Sequence, residues 1–454
     1  MASDIGSVTC NITNAIESAN RSFENVWQAI AGTASSMGAS NVSQFAARRL
    51  LSYNPQNRDG LVVIPEAQPG ITKLCEIISK TIAEIQTDPN NLTKWILVGK
   101  CYLLLGDHPN AYSAFAHCLR IDQPTNDPYF WYSIACVYQH FHFNEDALKF
   151  FTKVLEVDPN FPLVSDYNLR IGLCFRALGR YQEAINAINI VMQHGPPSGL
   201  TEDDVAFQRI FTYQISGAVP RALQEYGELV QRYPENLKLI QQYVWALSFQ
   251  SDSASLQTAE RIIAGVPQYA DDPLLKFVLA RIALKNSDME TAYKRYCDCI
   301  GDWSESPIFW CGLGVLYFRN EQRQDALIAF QRALYLKPEI PEAWLNLGII
   351  FENLDQTPNA SKIYQAGRQN CPGNQKLQER IARLQAGGKL QRPATEVEEI
   401  KDSKFFVQVA DRHAAMVTRT PPPLPGSAVS ADPAIARAVD GLACPYESLF
   451  AEND

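Results

Sequence analysis

The chain has no excess of positive charge: 40 Lys and Arg stand against 49 Asp and Glu, for a net charge of -9 over 454 residues. That argues against the broad positive field with which a protein binds nucleic acid or an anionic membrane unaided. Long hydrophobic runs are missing too; none reaches the roughly 18 residues of a membrane span. The opening stretch MASDIGSVTCNITNAIESAN has neither a basic n-region nor an apolar h-region. No secretory signal is expected, and the chain is expected in the cytosol or nucleus. Histidine is scarce, with six residues, and none stands in an H-x-D/E or H-E-x-x-H context. Metal-dependent oxygenase or protease chemistry therefore lacks its ligand pair. Walker loops, G-x-G-x-x-G turns and G-x-S-x-G elbows are absent, so neither catalysis nor a cofactor is expected.

Cysteine is present but unpatterned. Eleven residues, an odd number, are scattered through apolar segments, as free thiols acting as small hydrophobes would be. Cys297 and Cys299 form a lone C-x-C with no second pair nearby, which is a weak zinc signal. His140 and His142 are two residues apart and point to different faces, so they read as ordinary turn residues.

What the chain does have is a period of 34 residues. With Pro307 as position 1, Trp310, Leu313, Gly314, Tyr317, Ala326, Phe330, Ala333 and Pro338 fall at positions 4, 7, 8, 11, 20, 24, 27 and 32. Counted from Pro341, the same positions hold Trp344, Leu347, Gly348, Phe351, Ala360, Tyr364, Gly367 and Pro372. Two antiparallel helices approach closely where positions 8, 20 and 27 are small, while large apolar residues at 4, 7, 11 and 24 fill the space between them. Proline at 32 stops the second helix. This is the tetratricopeptide pattern. The register extends upstream from Leu92, Pro128, Ser165, Asp203, Leu237 and Pro273, giving eight units over roughly 92–374, with the unit at Leu237 degenerate. Extra residues near 160–164 and 198–202 lengthen two inter-unit turns.

The expected fold is all-α: a tetratricopeptide superhelical solenoid of about eight helix-turn-helix repeats with capping helices. The stretch 71–85 (ITKLCEIISKTIAEI) and the segment QKLQERIARLQA after Pro372 supply the caps. Three regions follow: an extension over 1–65 that is partly helical or disordered, an array over 66–386, and a mostly disordered tail over 387–454 with seven prolines. Within the tail, EVEEIKDSKFFVQVADRHAA folds either against a partner or back on the array, and both remain open. Arg419, Pro422 and Pro425 fit a polyproline ligand pattern.

In such a unit the first helix faces inward and exposes positions 2, 5, 9, 12 and 13. The candidate partner-binding residues are Leu103, Tyr129, Tyr132, Gln139, Ile308, Phe318 and Arg319, an apolar and aromatic lining suited to a helix or an extended peptide. Position 9 carries Lys100, Cys136, Leu173, Phe211, Arg281, Val315 and Ile349. None is Asn, which disfavours a clamp for a C-terminal carboxylate.

The block SPIFWCGLGVLYFRNEQRQDALIAFQRALYLKPEIPEAWLNLGIIFENL, residues 306–354, is more specific than the generic repeat. Its Phe309-Trp310-Cys311, Gly314-Val315-Leu316-Tyr317, Asp325-Ala326-Leu327 and Trp344-x-x-Leu347-Gly348-x-x-Phe351-Glu352 resemble the arrays of fungal-type general transcriptional corepressor subunits and UTX-type proteins. The resemblance implies a nuclear scaffold without direct nucleic-acid or membrane contact. It would bridge sequence-specific transcription factors to a WD-repeat corepressor, docked through that partner's N-terminal helices, and to histone-modifying enzymes. Residues 92–160 would form that dock. The glutamine-rich tracts of fungal members are missing, and no oxygenase domain follows. The alternative is an adaptor subunit of another machine, such as a ubiquitin ligase, a glycosyltransferase or a transport complex.

Overall fold

Alanine occupies position 20 of seven units, from Ala111 to Ala360, and the degenerate unit has Ala259 three places later; all eight are fully buried. One turn further along the same helix, position 24 carries Phe115, Phe151, Ile188, Tyr226, Tyr296, Phe330 and Tyr364, and Ile263 follows Ala259 at the same spacing in the degenerate unit; all are buried as well. A small residue on one helix thus admits the backbone of its partner, and a large one closes the gap beside it.

The computed structural model describes residues 68–386, with gaps at 122–125 and 198, together with Val397 and Glu399. The described residues contain 18 α-helices and no strand: α1 Gln68–Thr87, α2 Leu92–Leu104, α3 His108–Arg120, α4 Pro128–His140, α5 Asn144–Val157, α6 Val164–Ala177, α7 Tyr181–His194, α8 Glu202–Ser216 and α9 Val219–Arg232. Then come α10 Leu237–Ser248, α11 Ser253–Ala264, α12 Pro273–Lys285, α13 Met289–Trp303, α14 Pro307–Arg319, α15 Arg323–Leu336, α16 Pro341–Asn353, α17 Thr357–Asn370 and α18 Gln375–Gln385. The eight expected units are the consecutive pairs from α2/α3 to α16/α17. The degenerate unit is one of them, with two 12-residue helices, α10 and α11, and a 3-10 turn at Pro267–Tyr269. The all-α tetratricopeptide fold is as expected.

By its contacts the chain divides at Thr212 and Tyr213, within α8, into two units. In the first, α2 packs on α1 and α3, and the pairs α4/α5 and α6/α7 follow, each second helix touching the next first helix. In the second, the same alternation runs from α9 to α18. The last helix covers the end of its unit with the narrow stripe foreseen for it: Leu377 and Ile381 are buried, while its other face is open. Its Arg380 pairs at 3.3 Å with the buried Glu352 of α16, which also accepts a 2.6 Å hydrogen bond from the Tyr364 hydroxyl of α17. The extension over 1–65, including the helix anticipated there, and the tail with its polyproline pattern lie outside the described residues, apart from Val397 and Glu399.

Local chemistry sets the helix boundaries. Asn91, Asp107, Asp127, Asn236, Asp252, Asp272, Asp288 and Asn374 cap helix N-termini through their side chains. Between the two helices of a pair the chain closes in a Schellman-type turn; Gly106 and His142, for example, have positive φ and donate backwards to Leu103 and Gln139. Tryptophan at position 4 has a second task that the pattern did not reveal. Trp95, Trp310 and Trp344 each donate their indole N–H to the carbonyl six residues earlier, at Pro89, Ser304 and Pro338. In two of the three that acceptor is itself a proline, so the proline that follows the preceding helix also positions the tryptophan of the next.

Candidate partner-binding surface

In the first unit the inner positions are largely consumed by the fold. Tyr132 is fully buried, and its hydroxyl donates to Asp166 on α6. The Arg170 Nε lies 2.8 Å from the same carboxylate oxygen and 3.1 Å from the Tyr132 oxygen. Burial raises the Asp166 carboxyl above the usual carboxylate range, and the adjacent guanidinium opposes that shift. Gln139 is buried and donates its amide to the Arg170 carbonyl at 2.9 Å, binding α4 to α6 through a side chain. Leu103 lies in the apolar core with Phe130 and Ile134. Lys100, buried at position 9, reaches Asp127 at 2.8 Å.

Sequence spacing put Leu103, Tyr132, Gln139 and Ile308 on an open inner face, and the structure corrects this: all four are buried. For Tyr132 the cause is Phe161, one of the extra residues in the lengthened turn. Its ring centroid stands 5.4 Å from that of Tyr132 and 5.1 Å from that of Tyr129. Tyr129 stays half-buried, with its phenol raised by burial and then by Asp158 and Asp127.

In the second unit Ile308 is interior, Phe318 is half-buried and Arg319 is exposed, with its guanidinium 3.0 Å from the Leu284 carbonyl. The surface accessible to a partner from the seven candidates is thus Tyr129, Phe318 and Arg319. Sequence reasoning passed over two buried arginines. Arg170 stands four residues after Asp166, the spacing of a helical ion pair, and that signal was readable. Arg281 at position 9 of α12 lies over the rings of Trp245 and Phe249, 4.9 and 4.2 Å from their centroids.

Among the described residues no group of three or more His, Cys, Asp and Glu is placed to hold a metal, and no helix is long and apolar enough to cross a membrane. The C-x-C pair splits, with Cys297 exposed and Cys299 buried. Burial pushes the thiols of Cys101, Cys118 and Cys174 up to about 12, and that of Cys299 to about 11. Because the thiolate is the reacting form, iodoacetamide should modify Cys297 in the native protein at least about tenfold faster than Cys101 or Cys174. Peptide mass spectrometry of a time course reads this; equal rates would contradict the burial of the two core thiols.

The family model described as tetratricopeptide repeat matches residues 132–191 and 311–375. The general transcriptional corepressor ssn6 of Schizosaccharomyces pombe is 34% identical over 82 residues, which are 18% of this chain and 7% of that protein. The general transcriptional corepressor trfA of Dictyostelium discoideum is 28% identical over 142 residues, 30% of this chain and 10% of that protein. The matched segment is thus a tenth or less of the length of either relative. Of solved structures, the APC/C hetero-tetramer Cut9-Hcn1 aligns at 16% identity and a TM-score of 0.35, covering 76% of this chain and 59% of that one. The chain is built of tetratricopeptide repeats, and over part of them it is similar to general transcriptional corepressors.

Proposed function

We propose that the chain is a protein-interaction scaffold in transcriptional repression, acting in the nucleus and reaching DNA through its partners rather than by its own charge. The observation that carries this is the similarity of its repeats to two proteins named as general transcriptional corepressors, from different organisms. The net charge of -9 agrees with it, since a scaffold held at chromatin by other proteins needs no positive field of its own. The partners in this reading are a WD-repeat corepressor bound through its N-terminal helices, sequence-specific transcription factors and histone-modifying enzymes. No catalytic role is assigned; the family that matches is one of repeats.

Affinity purification of the tagged full chain, followed by mass spectrometry, tests this. A WD-repeat protein and histone-modifying enzymes should be recovered, and chromatin fractions should contain the tagged chain. Recovery of ubiquitin-ligase or trafficking subunits without any transcription factor would overturn it. Changing Tyr129 and Phe318 to Ala together should lower recovery of at least one partner by about tenfold, because half-buried aromatic anchors carry much of the affinity of such surfaces. Tyr132→Ala is unsuited to this purpose, since that ring is fully buried.

A further inference from the structure

Arg281 is only 2% exposed, and among the described residues the carboxylate paired with it lies outside the repeats. Its Nη1 donates to the Ser248 hydroxyl at 2.9 Å, and its flat face lies on Trp245. The acid that meets it comes from the far end of the second unit: Glu399, with a side chain 13% exposed, approaches to 3.6 Å. Two residues before it, Val397 is buried at 4% exposure. The segment left open between a partner and the array thus places these two residues on the array.

The fit is incomplete. At 3.6 Å the contact is an ion pair without a hydrogen bond. The second carboxylate oxygen, Glu399 Oε1, is buried with no hydrogen-bond partner, and so is the hydroxyl of Tyr296 nearby. Burial raises the Tyr296 phenol well above its ordinary value, and the Glu399 charge adds to the shift, so the two groups feel each other. A buried guanidinium over an aromatic face, with an unpaired hydroxyl beside it, has donors for a carboxylate on two sides. The chain's own glutamate engages one of them loosely.

We propose that the Arg281 pocket is a receptor for an acidic peptide presenting a small apolar side chain two residues before a carboxylate, and that Val397 and Glu399 occupy it as an internal competitor. The partner is a protein segment of that chemistry, received through the guanidinium of Arg281 and the hydroxyl of Tyr296. The proposal rests on the scaffold reading and supplies the chemical class of one of its ligands. An internal occupant lowers the apparent affinity for the external one by the fraction of time it is seated.

The test uses the full chain and a fluorescein-labelled peptide of its residues 393–404, PATEVEEIKDSK, followed by fluorescence anisotropy. Glu399→Lys in the full chain evicts the internal carboxylate by charge and should tighten peptide binding by about tenfold or more over the unsubstituted chain. Glu399→Gln, which keeps the shape, should tighten it in the same direction by less. A peptide with Gln in place of its own Glu399 should bind the Glu399→Lys chain about tenfold more weakly. Should Glu399→Lys fail to fold, the Glu399→Gln chain with the two peptides carries the same comparison. Equal affinities across the chains, equal affinities of the two peptides, or a lowered melting temperature without peptide binding would each overturn the proposal and leave the contact as a structural tie. No cellular partner enters this assay, so its failure removes the pocket alone; failure of the affinity purification removes the corepressor role.

Discussion

Replacing Asp166 with alanine should destabilise the first unit by about 3–5 kcal/mol, the usual cost of stripping a buried charge of its counter-ion. Arg170 is fully buried and cannot shed its proton, so without Asp166 its charge loses the carboxylate 2.8 Å from its Nε. Tyr132 also loses the acceptor of its hydroxyl. Arg170→Met made together with Asp166→Ala should recover much of the loss, because two apolar groups need no partner. The difference between double and single changes isolates the pair. There is a pH signature as well. With its carboxyl raised by burial, Asp166 contributes fully below the unfolded carboxylate range, and the contribution falls as pH rises through the folded value. The Asp166→Ala chain should lack that decline. Native-state hydrogen exchange in α4–α6 measures both effects; unchanged protection there would show that the pair does not hold these helices.

Gly348→Ala should destabilise the second unit by about 1–3 kcal/mol, although alanine is the better helix former. A Cβ at Gly348 would overlap the ring of Tyr364, which is fully buried and hydrogen-bonded to Glu352, so the ring has nowhere to turn. Gly314 stands in the same relation to Phe330, with only 2.7 Å between the added Cβ and the ring. The control is Gly301, inside α13, where a Cβ meets nothing within 4 Å. Gly301→Ala should therefore stabilise by about 0.5–1 kcal/mol through backbone entropy alone. Opposite signs for one chemical change, read by thermal and denaturant unfolding, would show that packing rather than propensity fixes glycine at position 8. A gain at both sites would refute that.

The repeat was legible because each unit solves one packing problem with one spacing. Gly348 against Tyr364 repeats Gly314 against Phe330 at a distance of 34 residues, a buried alanine recurs in every helix pair, and recurrence survives the substitutions that blur a single unit. The degenerate unit at Leu237 still forms α10 and α11, since Tyr243, Leu247, Ala259 and Ile263 keep the buried positions. The inner face was less legible. The rule that positions 5 and 12 face a groove holds for a bare repeat, but Phe161 comes from a lengthened turn outside the repeat and closes over Tyr132. Gln139 spends its amide on a backbone carbonyl of α6, a bond that no periodicity encodes. The pairing of Arg281 with Glu399 is harder still, because it joins a repeat position to a residue of the tail, where no spacing rule applies.

That last pair also has a timetable. Helices that pack on their sequence neighbours need only short loops to close, so the hairpins around Arg281 can form while the chain is still being made. Glu399 emerges later; at ordinary elongation rates of about 5–20 residues per second the stretch from Arg281 to Glu399 takes about 6–24 s to synthesise. During that interval Arg281 has its aromatic bed but not its carboxylate. Every newly made molecule therefore passes once through a window in which the pocket is open, before its own tail arrives to fill it.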